Sequence, residues 1–281
     1  MQSIRPLWVR VFLNEYCMKP VYVLLIFTNL FFMACNSRRY QGLTIKKGVL
    51  SVGVEINYPP MEYYDVDGVT PIGFDIDLAK ALADRLGLEI RFIDTAWEGI
   101  LAGLDSNRYD IAINITVLEE RQERYNFTLP YIDSSIVIAV LGDSGIQINE
   151  PEEIEGFRIG FQNNTTAQYF TERLYAQGLR FVFYSYDSII NCFDDLRIGR
   201  IDMVVVDNIA AFYYTEKENS PYKVVWIGPT DEFIAIALKK GNTLLADALN
   251  MSLKELFEDG TMAEISYKHF NRDIVSGILF P

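Results

Sequence analysis

Metal-ligand chemistry is scarce in this 281-residue chain, which holds three cysteines and one histidine. A zinc site of four cysteines, of two cysteines with two histidines, or of three histidines cannot be assembled from that set. Basic charge is also short: 25 Lys and Arg stand against 38 Asp and Glu, a net −13. That balance argues against nucleic acid or an anionic membrane face as the main partner, because phosphates need a basic surface. A full membrane-spanning run is missing too. The longest apolar stretch, residues 21–34 (VYVLLIFTNLFFMA), falls short of the roughly 20 residues that a span needs and suits the apolar region of a signal peptide. What is present is core material: half of the residues are hydrophobic and 22% are charged, which favours a packed fold over disorder.

Lys19 supplies a basic flank to the apolar stretch, and the small residue Ala34 precedes Cys35. This arrangement resembles a bacterial lipoprotein signal, which implies that Cys35 is lipidated and begins the mature chain. Met18-Lys19 would itself open a normal signal, leaving residues 1–17 as an upstream extension of the 1–34 segment. Residues 35–47 are polar and basic and read as a tether. Beyond Cys35 only Cys192 remains, in the apolar-patterned stretch Ile189–Phe193, where a buried inert thiol is expected.

From residue 48 the chain alternates strands and helices. Val49–Val54 reads as a strand. Phe74–Leu86 reads as a helix, with Ala79, Leu82, Ala83 and Leu86 on one stripe and Gly87 as the stop. Glu89–Ile93 is a strand, Trp97, Ile100, Leu101 and Leu104 repeat the helical spacing, and Asp110–Ile115 is a strand. The pattern then restarts with Arg158–Gln162, Thr166–Tyr175, Arg180–Tyr184, Asp187–Ile198 and Met203–Val206. Strands alternating with helices of about ten residues indicate βαβ units and mostly parallel sheets. The expected fold is α/β, with two open lobes joined by two strands: residues 48–134 and 232–281 form one lobe, residues 135–231 the other. The alternating segments Ile136–Leu141 and Phe233–Leu238 are the candidate crossings, and Thr243–Phe270 reads as two helices broken at Gly260. Open α/β sheets bind ligands outside the carboxyl ends of their strands, so the residues just after strands are the ones to weigh.

Glu55 and Tyr58 follow the first strand, in a loop fixed by Pro59 and Pro60; Glu55 is either a solvated loop acid or a cleft residue. Asn114 and Thr116 share one face at the end of the third strand, and Arg121 opens the next short helix. Its guanidinium can hold a carboxylate through two parallel hydrogen bonds, or form an ordinary surface salt bridge. Gln162, Thr165 and Thr166 precede a helix and suit a cap or an anion-receptive amide cluster. Asp207 ends an apolar strand, and either caps the helix at Asn208–Tyr214 or faces the cleft to meet an ammonium. Trp97 is either core or a platform for a flat or cationic group. Together these place a cation, Arg121, and an anion, Asp207, on different lobes, which is a receptor for a zwitterion. His269, the only histidine, lies near a helix end away from these loops, which argues against a serine–histidine nucleophile.

The segments GVLSVGVEINYPPMEY (48–63), GFDIDLAKALADRLG (73–87), YDIAINITVLEER (109–121), FTLPY (127–131), IGFQNNTTAQYF (159–170), GRIDMVVVDNIA (199–210) and FEDGTMAEISYKHF (257–270) resemble the bacterial periplasmic amino-acid-binding proteins of ABC importers, family 3 of the solute-binding proteins. The resemblance implies a periplasmic-binding-protein type II-like fold and a receptor with no catalytic residue, cofactor or metal. Its implied partners are a free amino acid, an ABC importer permease and, through the lipid anchor, the outer face of the cell membrane. It further implies that Arg121 binds the ligand carboxylate and Asp207 the α-ammonium. Thr116 and Thr166 then add hydroxyl and backbone contacts, Tyr58 and Trp97 form walls, and Glu55 reads the side chain. Glu55 opposite Trp97 favours a polar or cationic side chain. Three positions depart from the family pattern: Leu118 replaces a threonine, Asn164 a glycine and Asn114 a small residue. Two rival readings share the fold: a cyclohexadienyl-dehydratase-like enzyme, and a sensing module for a separate receptor.

Overall fold

The computed structural model of the protein describes residue 40 and residues 42–278. The 1–34 segment and the lipidation candidate Cys35 lie outside the described residues. Strand β1 (Val49–Val54) is buried at every position and pairs in parallel with β4 (Glu89–Asp94) and β5 (Ile111–Thr116). A strand covered on both faces has no polar side to present, which is why its sequence reads VLSVGV rather than as an alternation. Between β1 and β4 the chain forms a small hairpin, β2 (Tyr63–Tyr64) and β3 (Pro71–Ile72), and then helix α1 (Phe74–Leu86). Leu78, Ala79, Leu82, Ala83 and Leu86 form the buried stripe of α1, and Gly87 ends the helix in the left-handed conformation, φ 62°. That conformation carries no Cβ penalty for glycine.

Two sheets result. In the first the order is β4-β1-β5-β13-β6, where β6 is Tyr125–Phe127, β13 is Glu232–Lys239, and β7 (Ile132–Ser134) also pairs β13. In the second the order is β10-β9-β11-β8-β12, built from β8 (Ile136–Leu141), β9 (Arg158–Gln162), β10 (Val182–Tyr186), β11 (Met203–Asp207) and β12 (Tyr222–Ile227). The segments expected to be crossings are therefore interior strands. β8 runs antiparallel between β11 and β12, and β13 runs antiparallel to β5. The reason is packing. Val137 and Ala139 fill one core of the second sheet, while Ile138 and Val140 fill the other. The chain changes sheet just before each of these strands, at Ser135 and over residues 228–231. The two passages touch, with Ser135 Oγ 3.0 Å from Thr230 Oγ1.

The C-terminal part returns to the first sheet as α7 (Thr243–Glu258) and α8 (Thr261–Phe270), separated by Gly260 at φ 84°. Leu245, Leu249, Leu253 and Leu256 of α7 join the core of β1 and α1; burying each such side chain stabilises by about 1.5–3 kcal/mol. Polar ties hold α8 to α1: Lys268 Nζ and His269 Nε2 lie 2.6 and 2.7 Å from Asp77 Oδ2. The expected helix from Trp97 is in fact a 3₁₀ turn, Trp97–Gly99, leading into a short α2 (Ile100–Asp105). Cys192 is buried and free, as expected.

Candidate functional site

The carboxyl ends of the two sheets face one cavity. All ten candidate residues line it: Glu55, Tyr58, Trp97, Asn114, Thr116 and Arg121 from the first sheet and its loops, and Gln162, Thr165, Thr166 and Asp207 from the second. The strand-end rule brings them together because each lies at or just beyond the end of β1, β4, β5, β9 or β11, or in the turn or helix that follows.

Arg121 is the third residue of α3 (Glu119–Arg124) and is buried, unlike a surface salt-bridge residue. Its Nη1 donates to the Thr116 carbonyl at 3.1 Å and its Nη2 to the Asn164 carbonyl at 3.0 Å. One acceptor belongs to each sheet, so the guanidinium spans the cleft. Burial lowers the Arg121 pKa, yet leaves it a cation in a low-dielectric wall. Trp97 is half-buried, and its Nε1 donates to the same Asn164 carbonyl at 3.2 Å. Asn164 has φ 56°, a left-handed geometry that asparagine tolerates.

Asp207 ends β11, caps the helix that follows and also faces the cleft. Its Oδ1 accepts the Ala210 N–H at 2.9 Å, capping α6 (Asn208–Thr215), while its Oδ2 accepts the Tyr58 hydroxyl across the cleft. Burial raises its pKa, partly offset by these bonds. Glu55 is 8% exposed, so it is not a solvated loop acid. Gln162 Nε2 donates to both of its carboxylate oxygens, at 3.1 and 2.9 Å, and burial lifts its pKa to about 7. Thr165, not Thr166, caps α4 (Thr166–Ala176) with its side chain, and Thr166 stands at the first helical position facing the cavity.

Residues 50–272 match the model of the bacterial extracellular solute-binding proteins, family 3. The chain belongs to that family. It is 34% identical over 247 residues to the L-cystine-binding protein TcyJ of Escherichia coli (strain K12), covering 86% of this chain and 91% of that protein. It is 30% identical over 232 residues to the L-cystine-binding protein TcyA of Bacillus subtilis (strain 168), covering 82% and 84%. Among solved structures it resembles an ancestral arginine-binding protein bound to arginine, with TM-score 0.74 and 33% identity over 79% of this chain and 98% of that one.

In this family 3 protein the cavity also holds two acids that sequence reasoning missed, Glu62 and Glu232. Glu62 follows the Pro59-Pro60 turn and is 2% exposed; its place in a loop gave it no periodicity to be read from. Glu232 opens β13 at the second passage between sheets, faces Thr166 and Asp207, and is lifted by burial to a pKa of about 7. The apolar residues Ala167, Ile189, Val205, Val206 and Ile234 complete the lining. Four carboxyl groups thus share the cavity with one guanidinium, a wall charge suited to a guest that carries more than one positive centre.

Proposed function

We propose that this protein is an extracytoplasmic receptor that binds a free amino acid with a polar or cationic side chain and delivers it to an ABC importer. The observation that carries the reading is Arg121 and Asp207, opposite charges from different sheets, lining one cavity. A guanidinium receives an α-carboxylate through parallel hydrogen bonds, and a buried carboxylate receives an α-ammonium. The two carbonyl bonds of Arg121 leave further guanidinium N–H groups, beside the Tyr169 hydroxyl, to meet a ligand. Thr116 and the N-terminus of α4 add hydroxyl and amide donors on the carboxylate side. Glu55, held by Gln162, faces the side chain, and Tyr58 and Trp97 wall it. The relatives named for L-cystine and the arginine-bound neighbour support a guest with more than one charged end.

Lobes 48–134 with 232–281, and 135–231, then close on the ligand. A guest that touches both lobes gains contacts only in the closed form and shifts the population toward it. Lipidation of Cys35 would hold the receptor at the outer face of the membrane beside its permease, with two or more acyl chains needed for stable anchoring. No step in this cycle requires turnover, and the protein is expected to leave prephenate and arogenate unconverted in a turnover assay.

Calorimetry with the twenty amino acids and L-cystine tests the reading. Binding of arginine, lysine, histidine, glutamine or cystine is expected. Binding of acidic or small apolar amino acids alone would overturn it. Radiolabelled-lipid incorporation, lost in Cys35→Ser, tests the anchor separately.

A further inference from the structure

Beneath the cavity lies a carboxyl pair that amino-acid recognition by Arg121 and Asp207 does not use. Glu62 lines the cavity at 2% exposure, and Asp75, in the first turn of α1, is fully enclosed. Glu62 Oε1 accepts from Asn114 Nδ2 at 3.2 Å. Its Oε2 and both Asp75 oxygens are buried and accept no hydrogen bond of ordinary geometry. The groups facing them are each other and the Tyr131 hydroxyl.

The charges around Glu62 are all of one sign or neutral. Asp75 faces it from α1, Asn114 from β5, Tyr131 from the approach to β7, and Glu55 and Tyr58 from its own loop. Arg121 lines the same cavity but is bound to the Thr116 and Asn164 carbonyls. Two carboxylates in contact, removed from water and from any cation, cannot both ionise. A proton between them supplies the donor that the unpartnered oxygens lack, so the pair titrates as a unit.

We propose that Glu62 is a proton-linked recognition residue: it shares one proton with Asp75, and a ligand ammonium or guanidinium placed against it displaces that proton to the buffer. This rests on the receptor reading above and narrows it to ligands with a cation at the far end of the side chain. One positive charge enters and one leaves, so the floor of the cavity keeps its net charge. An uncharged isostere such as citrulline displaces nothing. Cation binding therefore weakens as pH falls, because protons compete for the same carboxyl.

The test is titration calorimetry of the full chain near neutral pH, in buffers of different ionisation enthalpy, with L-arginine and L-cystine as probes and citrulline as control. Wild type is expected to release about one proton more per bound probe than Asp75→Asn or Glu62→Gln. Its affinity should also fall up to about tenfold more steeply per pH unit than that of Glu62→Gln. On the wild type alone, the infrared band of a protonated carboxyl is expected to disappear on saturation with the probe, which covers the case of variants that do not fold. Equal proton counts in wild type and both variants, or an infrared band unchanged by the probe, overturn the proposal. Failure of both probes to bind also overturns it. The receptor reading falls as well only if no amino acid with a polar or cationic side chain binds in the wider screen.

Discussion

The Tyr58 hydroxyl donates to Asp207 across the cleft, joining the loop after β1 to the end of β11. The same carboxylate accepts the Ala210 N–H at the start of α6. A single side chain thus fixes a helix start and meets the opposite wall, and in the proposed function it also presents the anion for an α-ammonium.

Asp207→Asn separates these roles. Asparagine caps helices as well as aspartate does, so the melting temperature is expected to stay nearly constant. Amino-acid affinity should fall by roughly 1.5–3 kcal/mol, the usual worth of a hydrogen bond to a charged group. Asp207→Ala should show the affinity loss and about 1 kcal/mol of lost stability. Calorimetry paired with thermal melts reads both.

Arg121→Lys keeps the charge and loses the fork. A lysine ammonium cannot reach the Thr116 and Asn164 carbonyls and also grip a carboxylate with two parallel bonds. Affinity is expected to drop at least about tenfold, or 1.4 kcal/mol, as measured by calorimetry. Near-wild-type binding in Arg121→Lys would show that the guanidinium geometry is not used.

Stability of the ligand-free protein should decline with rising pH across the neutral range. Glu55 and Glu232 have pKa values raised from 4.5 to about 7, chiefly by burial. The folded chain holds these protons more tightly than the unfolded chain. Their contribution is therefore fully present below 4.5 and is lost as pH rises through about 7. Asp77 acts in the opposite sense. Lowered to about 2 despite its burial, by His269 and Lys268, it stabilises above 3.8 and fails only as pH falls toward 2. Melts in a pH series, with Glu55→Gln expected to flatten the neutral slope, check the sign.

Gly53→Ala tests the packing beneath the site. A Cβ at Gly53 would strike the ring of Tyr109, and one at Gly103 its hydroxyl end, so the two glycines make the slot in which that tyrosine lies. Overpacking of this kind costs about 1–3 kcal/mol. A denaturant midpoint unchanged from wild type would contradict it.

Much of this architecture was legible in the sequence, for identifiable reasons. The stripe Ala79, Leu82, Ala83, Leu86 with Gly87 behind it carries its own helix and stop. The strand-end rule pointed to Glu55, Arg121, Gln162 and Asp207, which the fold gathers around one cavity. β8 and β13 were harder. Alternating apolar residues look the same in a connecting strand and in a sheet interior, and the partners of β13 lie over a hundred residues earlier. Glu62 was invisible for a related reason. Its meaning comes from Asp75, which the first turn of α1 buries against it, and no local pattern marks such an encounter. Trp97 shows the limit of spacing alone, since a 3₁₀ turn and an α-helix share apolar positions over so few residues.

The acceptor shared by Trp97 and Arg121 is a peptide carbonyl, that of Asn164. Genetic drift at that codon can alter the ease of the left-handed turn, but it cannot delete the oxygen. The clasp between the halves is thereby insulated from mutation, while Glu55 and Asn114, whose side chains line the cavity, stay free to vary its walls.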